Sequence, residues 1–202
     1  MSNIGQTTFV GGDIFIRCDA SMTCCQREQA QSKAQHLDSK CPMPIKPDVT
    51  HKNIQDAKTR AQKRAGGRVK RQMAKDPHGT AAAWAQSPCL ADQMAEDWLD
   101  GNDNLEKMKV EMDHSQEVKF GGISGWGAEF KAMDQEVNGL FGEVAGTRGN
   151  QMLKEGTTEV ESVSFVCKPP CKPPHNAKNT DFSAVSKNKT ARTPSARSKS
   201  WK

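Results

Sequence analysis

The chain has 202 residues, a net charge of +5, 35% hydrophobic residues and a mean hydropathy of −0.77. That length allows one core, or one domain with appendages, and the low apolar content predicts a compact centre with loosely ordered ends. No apolar run approaches a bilayer span and no basic-then-apolar leader opens the chain, which excludes a membrane partner and predicts that any secretion proceeds without a cleaved signal peptide.

In chain order, Thr7 to Cys18 reads as two short strands about a Gly11-Gly12-Asp13 turn. Gln26 to Leu37 reads as a polar helix, and Cys41-Pro42-Met43-Pro44 opens a proline-broken linker. Residues 1–50 are therefore taken as an N-terminal hairpin and linker segment, and 51–171 as the main domain. A helix over 50–75, interrupted at Gly66-Gly67, carries seven basic residues from Arg60 to Lys75 and no acid. Its Arg60, Lys63, Arg64, Arg68, Lys70 and Arg71 form either a solvated face or a phosphate-contacting surface with sequence-independent, salt-sensitive affinity. A short helix from Thr80 to Trp84 follows. Ser87 then caps a helix with Pro88 at its first position, whose Leu90, Met94, Trp98 and Leu99 face a core.

Chemistry concentrates after Leu105. Met108, Val110 and Met112 alternate inward on a strand that reaches Asp113-His114 and stops near Gly121-Gly122. Neighbours on a strand point to opposite faces, so an Asp-His pair can offer one group to a metal and keep the other for a proton. From about Ala128 to Phe141 the spacing predicts a helix, with Phe130, Met133, Val137 and Phe141 on one face and Asn138 beside it. Trp126, in the intervening loop, packs beneath the site or stacks on a base. Strand, turn and helix bringing Asp, His and Asn together form the layout of a small metal-dependent nuclease. Asp113 and the Asn138 carbonyl would hold one divalent ion as Lewis acid, and neutral His114 would take a proton from water. Glu117 and Glu129 are candidates to brace the ligands from behind. Oxygen ligation favours Mg²⁺ or Mn²⁺, with Zn²⁺ or Ni²⁺ also admitted.

Asp113-His114, Phe120-Gly121-Gly122 and Met133-Asp134-x-x-Val137-Asn138-x-x-Phe141-Gly142 together resemble the HNH (ββα-metal) endonuclease domains that end bacterial polymorphic toxins, including Rhs-type and type VI secretion effectors. The resemblance covers roughly residues 85–155, with the ββα-like core at about 108–142. It departs from the pattern at Glu129-Phe130, where many members carry Asn-Leu, and in having no second cysteine pair flanking the helix. It implies an α+β, mostly helical small domain around a strand–turn–helix core. It also implies cleavage of DNA in competitor bacteria, catalysis by His114, Asp113 and Asn138, and action in the target-cell cytoplasm. A cognate immunity protein and a secretion-apparatus or carrier protein are the partners it implies.

The seven cysteines allow three disulfides and a free thiol, or a reduced chain. A link from Cys89 to Cys167 or Cys171 would tie the segment before the site to the one after it. Zinc at Cys167, Cys171 and His175 is disfavoured, because the intervening prolines hold the segment extended. Val160 to Val166 alternates as a final strand. Residues 168–202 hold nine Lys/Arg against Asp181 alone, leaving twenty basic and twenty-three acidic residues elsewhere. Residues 172–202 are expected to be a disordered basic tail that adds nonspecific affinity. Two other classes fit the same residues: a metal-independent RNase or other hydrolase using His114 with a carboxylate such as Glu117, and a non-catalytic nucleic-acid-binding protein. No Ser-His-Asp set, P-loop or deaminase zinc signature is present.

Overall fold

The computed structural model describes residues 5–18, 20–47, 52–125 and 127–167. Trp126, Cys171, His175 and the basic tail lie outside them. The chain divides into two units, Met1–Cys171 and Lys172–Lys202, and every described residue belongs to the first.

That unit is a mixed α+β domain with two hydrophobic clusters. Strands β1 (Gly5–Val10) and β2 (Asp13–Cys18) form the expected hairpin, with Gly11 at φ +57° in the turn, a conformation open to glycine at no steric cost. Helix α1 (Cys24–Asp38) starts in a capping box between Thr23 and Gln26. Short strand β3 (Met43–Pro44) precedes α2 (Lys52–Met73), α3 (Pro77–Trp84) and α4 (Pro88–Leu99). Strand β4 (Val110–His114) pairs antiparallel with β5 (Phe130–Asp134), which runs directly into α5 (Gln135–Glu143). A π-helical turn (Val144–Arg148), α6 (Gly149–Lys154), β6 (Glu159–Val160) and β7 (Ser162–Val166) complete the described chain.

β2 pairs parallel with β7, so the N-terminal hairpin and the far end of the domain share one three-stranded sheet. The boundary expected at residue 50 therefore does not divide the fold. The first cluster lies between this sheet, α1 and α5 and includes Ile14, Ile16, Leu37, Phe141 and Val163. The second joins α2, α3, α4 and β4 through Val69, Met73, Leu90, Met94 and Met112. The β4–β5 hairpin stands between them, with Ala132 in one cluster and the adjacent Met133 in the other.

Several expectations hold locally. Ser87 accepts from the Leu90 N–H and Pro88 opens α4, as its sequence signature predicts. Leu99 departs from that reading, being 63% exposed. Three other departures have physical causes. Residues 130–134 form a strand where the spacing predicts helix. Ladder pairing from Val110↔Asp134 to His114↔Phe130 competes successfully with helical propensity there, and Asp134 then caps α5 by accepting from the Glu136 and Val137 N–H groups. Helix α2 runs unbroken through Gly66-Gly67, and Gly66 faces Leu105 and Met112 across the second cluster. Packing of that kind outweighs the cost of a helical glycine, about 1 kcal/mol. Finally, Cys89 pairs with Cys25 and Cys167 with Cys18, with Cα–Cα distances of 5.6 and 5.1 Å, in place of a Cys89–Cys167 link. Cys24 is also disulfide-bonded, and among the described residues Cys41 is the free thiol.

Candidate active site

The end of β4 delivers Asp113 and His114 to opposite sides, and both are buried, at 4% and 1% exposure. The two sides differ completely in what they meet. Toward α1, Lys33 enters the interior from a helical face built on Ala30, Ala34 and Leu37, and is itself 0% exposed. Its ammonium donates to Asp113 Oδ2 at 2.7 Å, to the Ser115 carbonyl at 3.2 Å and to the His114 carbonyl. Glu117 Oε1 lies 3.6 Å from the same nitrogen. A buried ammonium is tolerated only when charge and hydrogen bonds are met together, and four oxygens do that here. Burial, reinforced by the Asp113 carboxylate, raises the Glu117 pKa above the ordinary carboxylate range, while Lys33 and Lys58 oppose the shift.

On the other side His114 packs its ring against Phe130, with centroids 4.5 Å apart. Neither Nδ1 nor Nε2 has a hydrogen-bond partner. Burial lowers its pKa to about 4; Lys58 and Lys33 add to that shift and Asp113 opposes it. At neutral pH the imidazole is therefore uncharged, with a lone pair on one ring nitrogen. It lines a pocket of about 250 Å³ together with His36, Lys40, Gln116, Gly122 and Glu129. The Gly121-Gly122 pair does shape this wall, although the strand has already ended at His114. Gly121 adopts φ +91°, and a Cβ on Gly122 would collide with the Gln116 carbonyl oxygen.

Ser115, Gly127, Ala128 and Glu129 also line a larger cleft of about 680 Å³. Arg60, Arg64 and Arg68 of α2 line it together with Trp84, Phe130 and Lys131. The candidate phosphate-binding residues thus divide: these three arginines face the cleft, whereas Lys63, Lys70 and Arg71 are exposed but are not among its lining residues.

The members of the expected trio each meet different partners. Asn138 is half-buried on α5, and its amide nitrogen donates to Glu111 Oε2 at 2.6 Å, one strand repeat before Asp113. Asp113 already faces an ammonium. The Lys33 ammonium supplies the positive charge at Asp113 Oδ2, and the Asn138 amide nitrogen, not its carbonyl, is turned to Glu111. Among the described residues, no group of three or more His, Cys, Asp or Glu could hold a metal. Of the two bracing candidates, Glu117 is buried against Lys33 and Glu129 is exposed at the pocket rim.

Lys33 and His36 are the residues that sequence reading missed. Lys33 sits in a helix that looks polar, and only the Ala30-x-x-Lys33-Ala34-x-x-Leu37 spacing hints that this face is buried. His36, one helical turn on, reaches the His114 pocket, and burial lowers its pKa, with Lys33 the next contributor. None of the described helices is long and apolar enough to cross a membrane. No protein-family model, no curated protein and no solved structure matches this chain.

Proposed function

We propose that this protein is an endonuclease that hydrolyses phosphodiester bonds of nucleic acid, with His114 as the general base. The observation that carries the reading is a buried imidazole with both nitrogens unpaired, in a pocket adjoining an arginine-walled cleft. Phosphates held along Arg60, Arg64 and Arg68 bring the backbone toward Ser115. Water in the pocket gives its proton to a ring nitrogen of His114, and the resulting hydroxide attacks phosphorus. The bond to the leaving sugar oxygen breaks with its electron pair, and that oxygen takes up a proton from solvent. Positioned general-base catalysis contributes roughly 10²–10⁴-fold. Asp113 serves in this scheme through Lys33, which also holds the carbonyl of His114 and so fixes the backbone that carries the base.

A metal-dependent reading stands beside it, supported by the strand–strand–helix order of β4, β5 and α5, which is the element order named in the ββα-metal resemblance. On either reading the resemblance makes DNA in competitor bacteria the expected substrate. A toxin of this kind needs a cognate immunity protein, and an acidic one would complement the basic cleft. It also needs a secretion-apparatus or carrier partner.

Nicking of supercoiled plasmid and cleavage of single-stranded DNA and RNA test the proposal, each run with Mg²⁺, with Mn²⁺ and with EDTA. Cleavage that disappears in a folded His114→Ala protein supports the His114 base. Survival of that cleavage in EDTA favours the metal-free scheme, and its loss favours the metal-dependent one. Intact substrates under every condition, with the protein folded, exclude both.

A further inference from the structure

We propose that the cleft between α2 and the β4–β5 hairpin is a groove for single-stranded nucleic acid, with arginines on successive phosphates and Trp84 and Phe130 against the bases. The proposal rests on the nuclease reading only in placing its ligand beside His114; binding itself requires no catalysis.

The helical wall has the right periodicity. Arg60, Arg64 and Arg68 are spaced four residues apart on α2, which puts their Cα atoms roughly 6 Å apart along the axis. That repeat suits the backbone of one extended strand. Ala57, Ala61 and Ala65 line the cleft between and beside them, so the helix surface is low where a sugar-phosphate chain would lie. Cationic side chains and aromatic rings lining one groove is the combination that binds single strands without sequence preference.

The ends of the groove can also be assigned. Trp84 donates its indole N–H to Gln72 at 2.7 Å, which places it toward the Arg68 end of α2. At the other end, Gly125 lies close to Ala57, and the Gln62 side chain donates to the Met112 carbonyl of β4 at 3.0 Å. Phe130 bridges cleft and pocket, because its ring lines the cleft and packs on His114. A strand entering at Trp84 would therefore cross the arginine wall over roughly 12 Å before reaching Ser115. That distance accommodates about two or three nucleotides.

A duplex fits this face poorly. A helix that reads a major groove must stand clear on the face it inserts, whereas this face of α2 is opposed by β5 and by the loop at Gly125 and Ala128. Glu129 at the rim supplies the only acid among the residues lining the cleft, which further favours a thin ligand over a broad one.

The test uses the full chain carrying His114→Ala, so that the ligand stays intact, and reads fluorescence anisotropy with a labelled twelve-nucleotide single strand, as DNA and as RNA, and with the same DNA as a duplex. Single strands should bind at least about tenfold more tightly than duplex at equal salt. Trp84→Ala should weaken single-strand binding by about fivefold or more. Glutamine at Arg60, Arg64 and Arg68 together should reduce the logarithmic salt slope by about 2. The arginine variants keep the measurement informative if Trp84→Ala fails to fold, because all three side chains are on the cleft surface. Equal or tighter duplex binding overturns the proposal, as does single-strand binding unchanged by the arginine substitutions. Selective single-strand binding by a protein whose wild-type form cleaves nothing sinks the nuclease reading and leaves the groove standing; His114-dependent cleavage with duplex preference does the reverse.

Discussion

Asp113 and His114 are covalent neighbours buried to nearly the same degree, yet they present opposite physical situations. Asp113 faces a lysine that satisfies it together with two carbonyls and a second carboxylate. His114 faces an aromatic ring and a pocket, and its nitrogens satisfy nothing. A paired buried charge fixes structure, because removing either partner strands the other. A buried base with unpaired nitrogens packs only through its ring and keeps those nitrogens available for chemistry. The two sides of one strand end thus divide support from reactivity between adjacent residues.

The largest expected effect lies on the Asp113 side. Lys33→Met should destabilise the fold by about 3–5 kcal/mol, since two buried carboxylates lose their cation. Chemical denaturation of the purified variant measures it, and a loss below about 1 kcal/mol would show that the carboxylates are not held as described. Lys33→Met with Asp113→Leu should recover part of the deficit, because the worst mispairing is removed with it.

On the His114 side, His114→Gln should lower cleavage by roughly 10²–10⁴-fold while the protein still folds. The same variant exposes the titration. His114 has a folded pKa of about 4, below its ordinary value of 6.5, so the unfolded chain binds the extra proton first as pH falls. The stabilising advantage of neutral burial is complete above about 6.5 and is lost as pH drops toward about 4. The melting-temperature difference between wild type and His114→Gln should therefore shift against the wild type across that window. A difference constant with pH would mean that His114 titrates normally.

The smallest effect is expected at Asn138. Its partner Glu111 is exposed, so Asn138→Ala should cost under about 1 kcal/mol of stability. In the metal-free scheme it should also change cleavage little. A collapse in activity with stability retained would restore Asn138 to the centre and favour the metal-dependent reading.

How much of this was legible depended on whether the deciding interaction was local. The β1–β2 hairpin, the Ser87-Pro88 helix start and the inward alternation of Met108, Val110 and Met112 are local patterns, and all three appear in the fold, although the alternation stops at Asp113, which is buried. Phe130–Asp134 was misread because its apolar spacing fits a helix, while its actual conformation is decided by a partner strand some twenty residues earlier. Gly66-Gly67 was misread for a similar reason, since packing against Leu105 and Met112 is invisible in the helix's own sequence. The candidate base was found from its neighbours in sequence. Lys33 was not, because it lies 80 residues from Asp113 and has the composition of a solvent-facing residue. The cysteine pairing likewise joins segments 64 and 149 residues apart, which spacing alone does not specify.

The most direct measurement is the rate of nucleic-acid cleavage by wild type and by His114→Gln, side by side and with folding verified by circular dichroism. A loss of at least about 100-fold in the variant, with the fold intact, is the result expected of an unpaired buried base that does the chemistry. Equal rates in the two proteins would contradict it and leave His114 a packed side chain beside an arginine-lined cleft.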